Sequence, residues 1–102
     1  MRLVTKELEK RFAEVGSQEN VKNLLVITKF FNPCGAGTWW ATEYDPKDKT
    51  IFGYASIFGD WNDEWGYTSL EELASHKGPF GIGIERDLYW TEKRVSEIPE
   101  IR

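Results

Sequence analysis

Between Thr50 and Gly59 the chain reads TIFGYASIFG, and neither of its alternating sides carries a charge. Phe52, Tyr54 and Phe58 fall on even positions, while Ile51, Gly53, Ala55, Ile57 and Gly59 fall on odd ones. A strand with one wet face would show polar alternation, so this pattern predicts an interior strand covered on both faces. Its odd side is made largely of small residues, and a neighbour can lie close against it. Immediately beyond comes the acidic, tryptophan-bearing link Asp60-Trp61-Asn62-Asp63-Glu64-Trp65. An enclosed strand forces that link outward, to the rim of the fold.

A chain of 102 residues buries roughly 65% of its unfolded surface on folding. One α+β domain spanning residues 1–102 is therefore expected, with no need of disulfides or metal. Aromatic residues make up 15% of the chain, and their large areas offset its low mean hydropathy, which favours folding over disorder. No apolar run approaches the ~20 residues of a membrane span, and Met1 to Glu7 lacks the apolar centre of a signal peptide. The single cysteine, Cys34, has no partner for an internal bridge. These features predict a cytoplasmic protein.

The net charge of −4 is unevenly distributed. Residues 43–72 hold eight acids (Glu43, Asp45, Asp48, Asp60, Asp63, Glu64, Glu71, Glu72) against Lys47 and Lys49, a local charge of −6. Nucleic-acid binders carry a basic stripe that displaces phosphate counterions. Direct nucleic-acid binding is not expected of this chain, and a partner protein with a basic surface is.

In chain order, Thr5 is a plausible N-cap, and Leu8, Phe12 and Val15 recur at helical spacing up to Gly16, predicting a helix over Lys6 to Val15. Ser17-Gln18-Glu19-Asn20 reads as a turn. Leu24 to Phe31 is β-branched and aromatic, a first strand, and Asn32-Pro33-Cys34-Gly35-Ala36-Gly37 is a loop. Thr38 to Tyr44 alternates Thr38, Trp40, Thr42 and Tyr44 on one side with Trp39, Ala41 and Glu43 on the other. Asp45-Pro46-Lys47-Asp48-Lys49 then closes a hairpin onto the Thr50 strand.

Trp65 to Thr68 is a short strand, and Ser69-Leu70-Glu71-Glu72 has capping-box spacing for a helix over Leu70 to His76. Lys77-Gly78 ends that helix, with Gly78 assigned the left-handed position and Pro79 barring continuation. Phe80 to Ile84 is extended or looped, Leu88 to Trp90 is a last strand at an edge, and Thr91 to Arg102 is either a short helix or a frayed tail. The sum is a mainly antiparallel sheet of four to five strands, with an N-terminal helix and a second short helix before the last strand.

Four stretches carry a resemblance: Leu3-x-Thr5-Lys6-Glu7-Leu8, Ala41-Thr42-Glu43-Tyr44, Ile51-Phe52-Gly53-Tyr54 and above all Gly78-Pro79-Phe80-Gly81-Ile82-Gly83-Ile84-Glu85-Arg86-Asp87-Leu88-Tyr89-Trp90. The chain resembles a small bacterial family, domain of unknown function 2958. That resemblance implies an accessory role on plasmids, phages and other mobile elements. It supplies no catalytic residue.

The link from Asp60 to Trp65 matches part of a calcium loop, with Asp60, Asn62, Glu64 and Glu71 at the first, third, fifth and twelfth positions. It fails at the sixth, where the turn demands glycine and the chain has Trp65. No metal and no other cofactor is expected. Two readings of the link remain: Trp61 and Trp65 fold back onto the core, or they stand exposed among Asp60, Asp63 and Glu64 as anchors for a basic partner. Glu43 and Arg86 join those five as candidate binding residues, since the Arg86 fork suits a carboxylate or phosphate.

Glu85-Arg86-Asp87 has two readings as well, a structural ion network or the site of a small hydrolase or nucleotide-handling enzyme, with His76 nearby. Gly81-Ile82-Gly83 is only a fragment of a phosphate loop. No catalytic residue is assigned. The expected function is a non-enzymatic, protein-binding accessory protein, with inhibition of a host defence nuclease such as a restriction or CRISPR effector as its sharpest form. The expected state is a monomer or small homo-oligomer, and a dimerising module with its edge at Leu88 to Trp90 is the remaining class.

Overall fold

The computed structural model describes residues 2–57 and 63–101. Helix α1 occupies Lys6–Val15, as its pattern requires. The Thr5 hydroxyl accepts from the Leu8 amide at 3.2 Å, satisfying one orphan donor, and Glu7 and Glu9 lie in the first turn where the helix dipole favours acids. Gly16 ends the helix at φ 69°, its N–H bonded to the Phe12 carbonyl at 2.9 Å. Phe12 is the buried residue of this helix, with Leu8 and Val15 packed beside it. Burying one such ring contributes about 1.5–3 kcal/mol.

Five strands form the main antiparallel sheet: β2 (Thr28–Phe31), β3 (Thr38–Asp45), β4 (Thr50–Ser56), β5 (Glu64–Ser69) and β6 (Glu85–Arg86), in the order β5-β4-β3-β2-β6. Strand β4 therefore lies between two neighbours, as its charge-free pattern predicts, and buries Ile51 on one face and Tyr54 on the other, while Phe52 and Ala55 are half-buried. Two more short strands, β1 (Leu25–Val26) and β7 (Lys93–Arg94), pair separately. Helix α2 (Leu70–Ser75) leaves β5 directly, with the Ser69 hydroxyl accepting from the Glu72 amide at 3.3 Å.

The sheet has two unlike faces. On the helix side Leu3, Val4, Phe12, Phe30, Ala41, Ile51, Leu73 and Ile84 make the main core. On the other side Val26, Trp40, Tyr54 and Ile98 make a second cluster, with Trp65, Trp90, Val95 and Ile101 against it. Of the two expectations for the C-terminal segment, the short helix is met by a single 3-10 turn at Val95–Glu97 and the frayed tail is not. The segment pairs as β7 with β1, turns once through Val95–Glu97 and buries Ile98. The Arg11 guanidinium clamps it to α1, donating from Nε and Nη2 to the two Glu92 carboxylate oxygens at 2.8 Å each.

Four local expectations are corrected. Leu24 to Phe31 is not one strand, because the chain breaks at Ile27 and sends β1 to a different partner. Leu88 to Trp90 is a turn, with the Trp90 amide bonded to the Asp87 carbonyl at 3.2 Å, and the edges of the sheet are β5 and β6. The second helix stops at Ser75, and Gly78 has φ −89°, so the left-handed residues of that loop are Phe80 and Gly81. Strand β4 ends at Ser56, so Ile57 of the expected Thr50 to Gly59 run falls outside the strand, and Phe58 and Gly59 lie outside the described residues.

The fourth strand-level departure matters most for the site. Strict alternation in β3 assigns Glu43 to the Trp39 and Ala41 side and Tyr44 to the Trp40 side. Instead the register with β4 slips between Ala41 and Glu43: Ala41 faces Gly53, and Glu43 already faces Phe52. This β-bulge at Thr42 reverses the side for all that follows. Tyr44 moves to the helix face, 5.8 Å from Phe12, and Glu43 moves to the aromatic face.

Candidate aromatic cleft beside the edge strand

The bulge is held by a residue that reads in the sequence as turn filler. Gln18 is 2% exposed. Its side-chain amide donates to the Leu25 carbonyl at 2.9 Å and to the Thr42 carbonyl at 2.8 Å, while its side-chain oxygen accepts from the Leu25 amide at 2.7 Å. Thr42, fully buried, donates its hydroxyl to the Phe52 carbonyl at 3.2 Å. The Thr42 and Phe52 carbonyls lie at the bulge and the Leu25 groups on the neighbouring strand β1, and leaving one such buried group unpaired costs about 1–3 kcal/mol. The Gln18 backbone N–H also donates to one Glu43 carboxylate oxygen at 3.1 Å, fixing that side chain.

Opposite Glu43 the sheet carries a block of rings. Register sets Phe52 against Tyr67 and Tyr54 against Trp65, all on one face. Phe52 stacks with Trp65 at 6.1 Å and meets Tyr67 edge-on at 5.0 Å, and Trp65 meets Tyr54 edge-on at 5.5 Å. Phe52, Trp65, Tyr67, Gln18, Glu43 and Lys22 line a cleft of about 640 Å³ between the edge strand and the segment after α1. Trp65 and Phe52 are half-buried, and Tyr67 is 79% exposed.

A second cleft of about 640 Å³ lies on the helix face of the same two strands, floored by Ala55, Gly66 and Thr68 and walled by Trp39, Glu64, Glu72 and His76. Its floor takes Gly66 and Thr68 from β5 and Ala55 from the small-residue side of the Thr50 strand. The closest approach to that strand, however, comes from within the sheet: a Cβ on Gly53 would lie 2.0 Å from the Trp40 carbonyl oxygen. Ser69 is committed to capping α2, which removes it as a free hydroxyl partner for His76.

The candidate residues are therefore dispersed. Asp60 and Trp61 lie outside the described residues. Asp63 is half-buried and Glu64 is exposed at the start of β5. Trp65 folds back onto Tyr54 and Phe52 while its strand stays on the rim, so it combines both readings of the link. Glu43 and Glu64 are separated by the sheet itself, lining clefts on opposite faces. Of the other acids, Asp45 accepts from the Lys47 amide at 2.9 Å within its turn, and Glu71 lies 3.8 Å from Lys49. Among the described residues, the acids of residues 43–72 are thus divided between the two faces of the sheet and its turns.

Arg86 lines neither cleft. Its Nη1 donates to the carbonyl of Arg2 and to that of Leu3 at 3.0 Å, pinning the N-terminal segment to β6. The Asp87 carboxylate accepts from the Tyr89 amide at 3.0 Å, closing the turn after β6. Among the described residues no group of three His, Cys, Asp or Glu side chains gathers as a metal site, and no helix is long and apolar enough to cross a membrane.

Sequence reasoning missed Gln18, Phe52 and Tyr67 as parts of this site. A signal for the first was present: a charged Glu43 assigned to the core side of a central strand is a local conflict, and a bulge resolves it. A family model described as a protein of unknown function, DUF2958, matches residues 3–99. No curated protein and no solved structure matches the chain.

Proposed function

We propose, from the premise that the chain belongs to the DUF2958 family, that it works as a non-enzymatic binding protein and engages a basic partner protein along the β5 edge. The observation that carries this reading is the edge itself. Strand β5 has six residues and, among the described residues, a neighbouring strand on one side only, and it carries Tyr67 at 79% exposure. An unpaired strand offers a row of backbone donors and acceptors for an added strand, and alternating side chains supply selectivity. Glu64 on one face and Glu43 on the other favour a positively charged segment.

The opposite edge, β6, is only two residues long and is followed at once by the Asp87 turn, a protected ending. The mobile-element setting that the family resemblance implies suggests a partner that grips nucleic acid, such as a restriction or CRISPR effector of the host, whose basic groove the protein would occupy. The test is binding to, and inhibition of, purified effectors of those two kinds by the wild-type chain, by Tyr67→Lys and by Glu64→Lys. Inhibition that is lost in both variants at unchanged melting temperature supports the edge. An effector bound equally by all three proteins, or none bound by the wild type, refutes it.

A further inference from the structure

Within one sheet face, rings and cations are already paired at one end and unpaired at the other. At the β2 end, Lys29 Nζ lies 5.7 Å from the Trp40 ring and 5.8 Å from the Trp90 ring, and Lys93 Nζ lies 4.6 Å from the Trp90 ring. These are cation–π distances, where an ammonium is attracted to the negative face of the ring. At the β5 end, Phe52, Trp65 and Tyr67 form the same kind of surface, and among the described residues no cation lies over any of them. Beside them stands Glu43, with one carboxylate oxygen bonded to the Gln18 amide and the other without a donor among the described residues.

We infer that this cleft is a subsite for the guanidinium of an arginine side chain carried by the partner protein. The inference rests on the reading of β5 as a protein-binding edge and assigns the side chain that such a partner inserts. Three features of the cleft select the guanidinium. It is planar and stacks on aromatic faces, as the nearly parallel Phe52 and Trp65 rings at 21° allow. It is permanently charged and donates charge-assisted hydrogen bonds to a carboxylate, here the available Glu43 oxygen. It is weakly hydrated, so a half-buried aromatic wall does not strip it at the cost a compact ammonium incurs. Glu19 adds a second negative charge to the lining, and among the described residues exposed Lys22 is the one cation on the rim.

The bulge makes the site. With strict alternation in β3, Glu43 would point to the helix face, and the rings would have no carboxylate. Gln18 joins both parts, because its side chain holds the bulge open and its backbone N–H fixes the Glu43 carboxylate.

The test uses the full chain and two synthetic peptides, one with a single central arginine flanked by serines and the other with citrulline, the neutral isostere, in its place. The readouts are peptide affinity and the NMR resonance of the Trp65 indole N–H. The arginine peptide is expected to shift that resonance and to bind roughly tenfold tighter than the citrulline peptide, the combined effect of a cation–π contact and a charge-assisted bond. Glu43→Gln should erase most of the difference, Tyr67→Ala should weaken both peptides, and Lys22→Ala should tighten the arginine peptide by removing a like charge.

Equal affinity for the two peptides, or no shift at Trp65, overturns the subsite. Retained effector inhibition in Glu43→Gln together with its loss in Glu64→Lys also overturns the subsite, while leaving the edge reading intact. Loss of inhibition in neither variant removes the edge reading instead.

Discussion

One half of the aromatic face is roofed by the chain's own C-terminal segment and the other half is open. In the roofed half Trp40 and Tyr54 lie beneath Trp90, Val95 and Ile98, with Trp40 only 3% exposed and the Trp90 indole N–H donating to the Val26 carbonyl at 3.2 Å. In the open half Phe52, Trp65 and Tyr67 continue the same run of rings, and nothing of comparable size covers them among the described residues. Aromatic content therefore does not distinguish core from binding surface in this protein. What distinguishes them is whether the segment of residues 90–101 reaches over. It packs over Trp40 and Tyr54 and lines no part of the cleft beside Phe52, Trp65 and Tyr67.

The largest effect separating the halves is truncation of one ring in each. Trp40→Ala should cost about 3–5 kcal/mol, a packing loss, since its indole N–H has no acceptor to lose among the described residues. Tyr67→Ala should change stability by no more than about 0.5 kcal/mol. Urea unfolding of the two variants checks both values. A Tyr67→Ala loss as large as that of Trp40→Ala would mean that the open half is core after all.

A finer contrast comes from two glycines that face each other across β4 and β5, Gly53 and Gly66. A methyl on Gly53 would sit 2.0 Å from the Trp40 carbonyl oxygen and 2.9 Å from the Ala41 Cα, both backbone atoms that cannot swing aside. Gly53→Ala should therefore cost about 1–3 kcal/mol or more by overpacking beside the bulge. A methyl on Gly66 meets nothing within 4 Å, so Gly66→Ala should be neutral within about 0.5 kcal/mol. Thermal melts of both variants test whether β5 is as free on its helix side as on its outer edge. A destabilised Gly66→Ala would show that the second cleft is closed by the fold.

The elements whose signals are local were legible in the sequence. Thr5 and Ser69 as caps, the Asp45 to Lys49 turn and the interior placement of β4 all follow from residues within a few positions of one another. The errors lie where a distant partner decides. Leu88-Tyr89-Trp90 has strand composition, but Trp90 is drawn into the second core by Val26 and its neighbours, and the chain must turn to deliver it. Thr91 to Arg102 is polar enough to read as a tail, yet pairing of Lys93 and Arg94 with β1 and burial of Ile98 hold its described part down. The cleft was half legible. Trp65 and Glu43 were singled out, but only the bulge brings Glu43 to the rings, and its staple Gln18 lies 24 positions from Thr42 in the chain.

The same bulge has a consequence on the far face, and it yields the smallest of the expected effects. Tyr44, sent to the helix side, lies against Phe12, and its phenol is held above the ordinary value of 10.0 by burial first, then by the negative charges of Glu9 and Asp45. Below pH 10 the phenol is protonated in folded and unfolded chains alike, and its contribution to stability is fully present. As the pH rises past 10 the unfolded chain gives up its proton first, so stability falls until the folded phenol also ionises. Wild type should therefore lose stability above pH 10 faster than Tyr44→Phe, and Glu9→Gln should flatten the wild-type slope in part. Denaturation midpoints collected from pH 8 to 11 measure this. Strict alternation would have left Tyr44 on the aromatic face beside Trp40, out of reach of α1, and Glu9→Gln would then have no effect on the alkaline limb. An unchanged limb in that variant would remove the bulge's reversal of β3, and with it the carboxylate that the open half of the aromatic face needs to hold a cation.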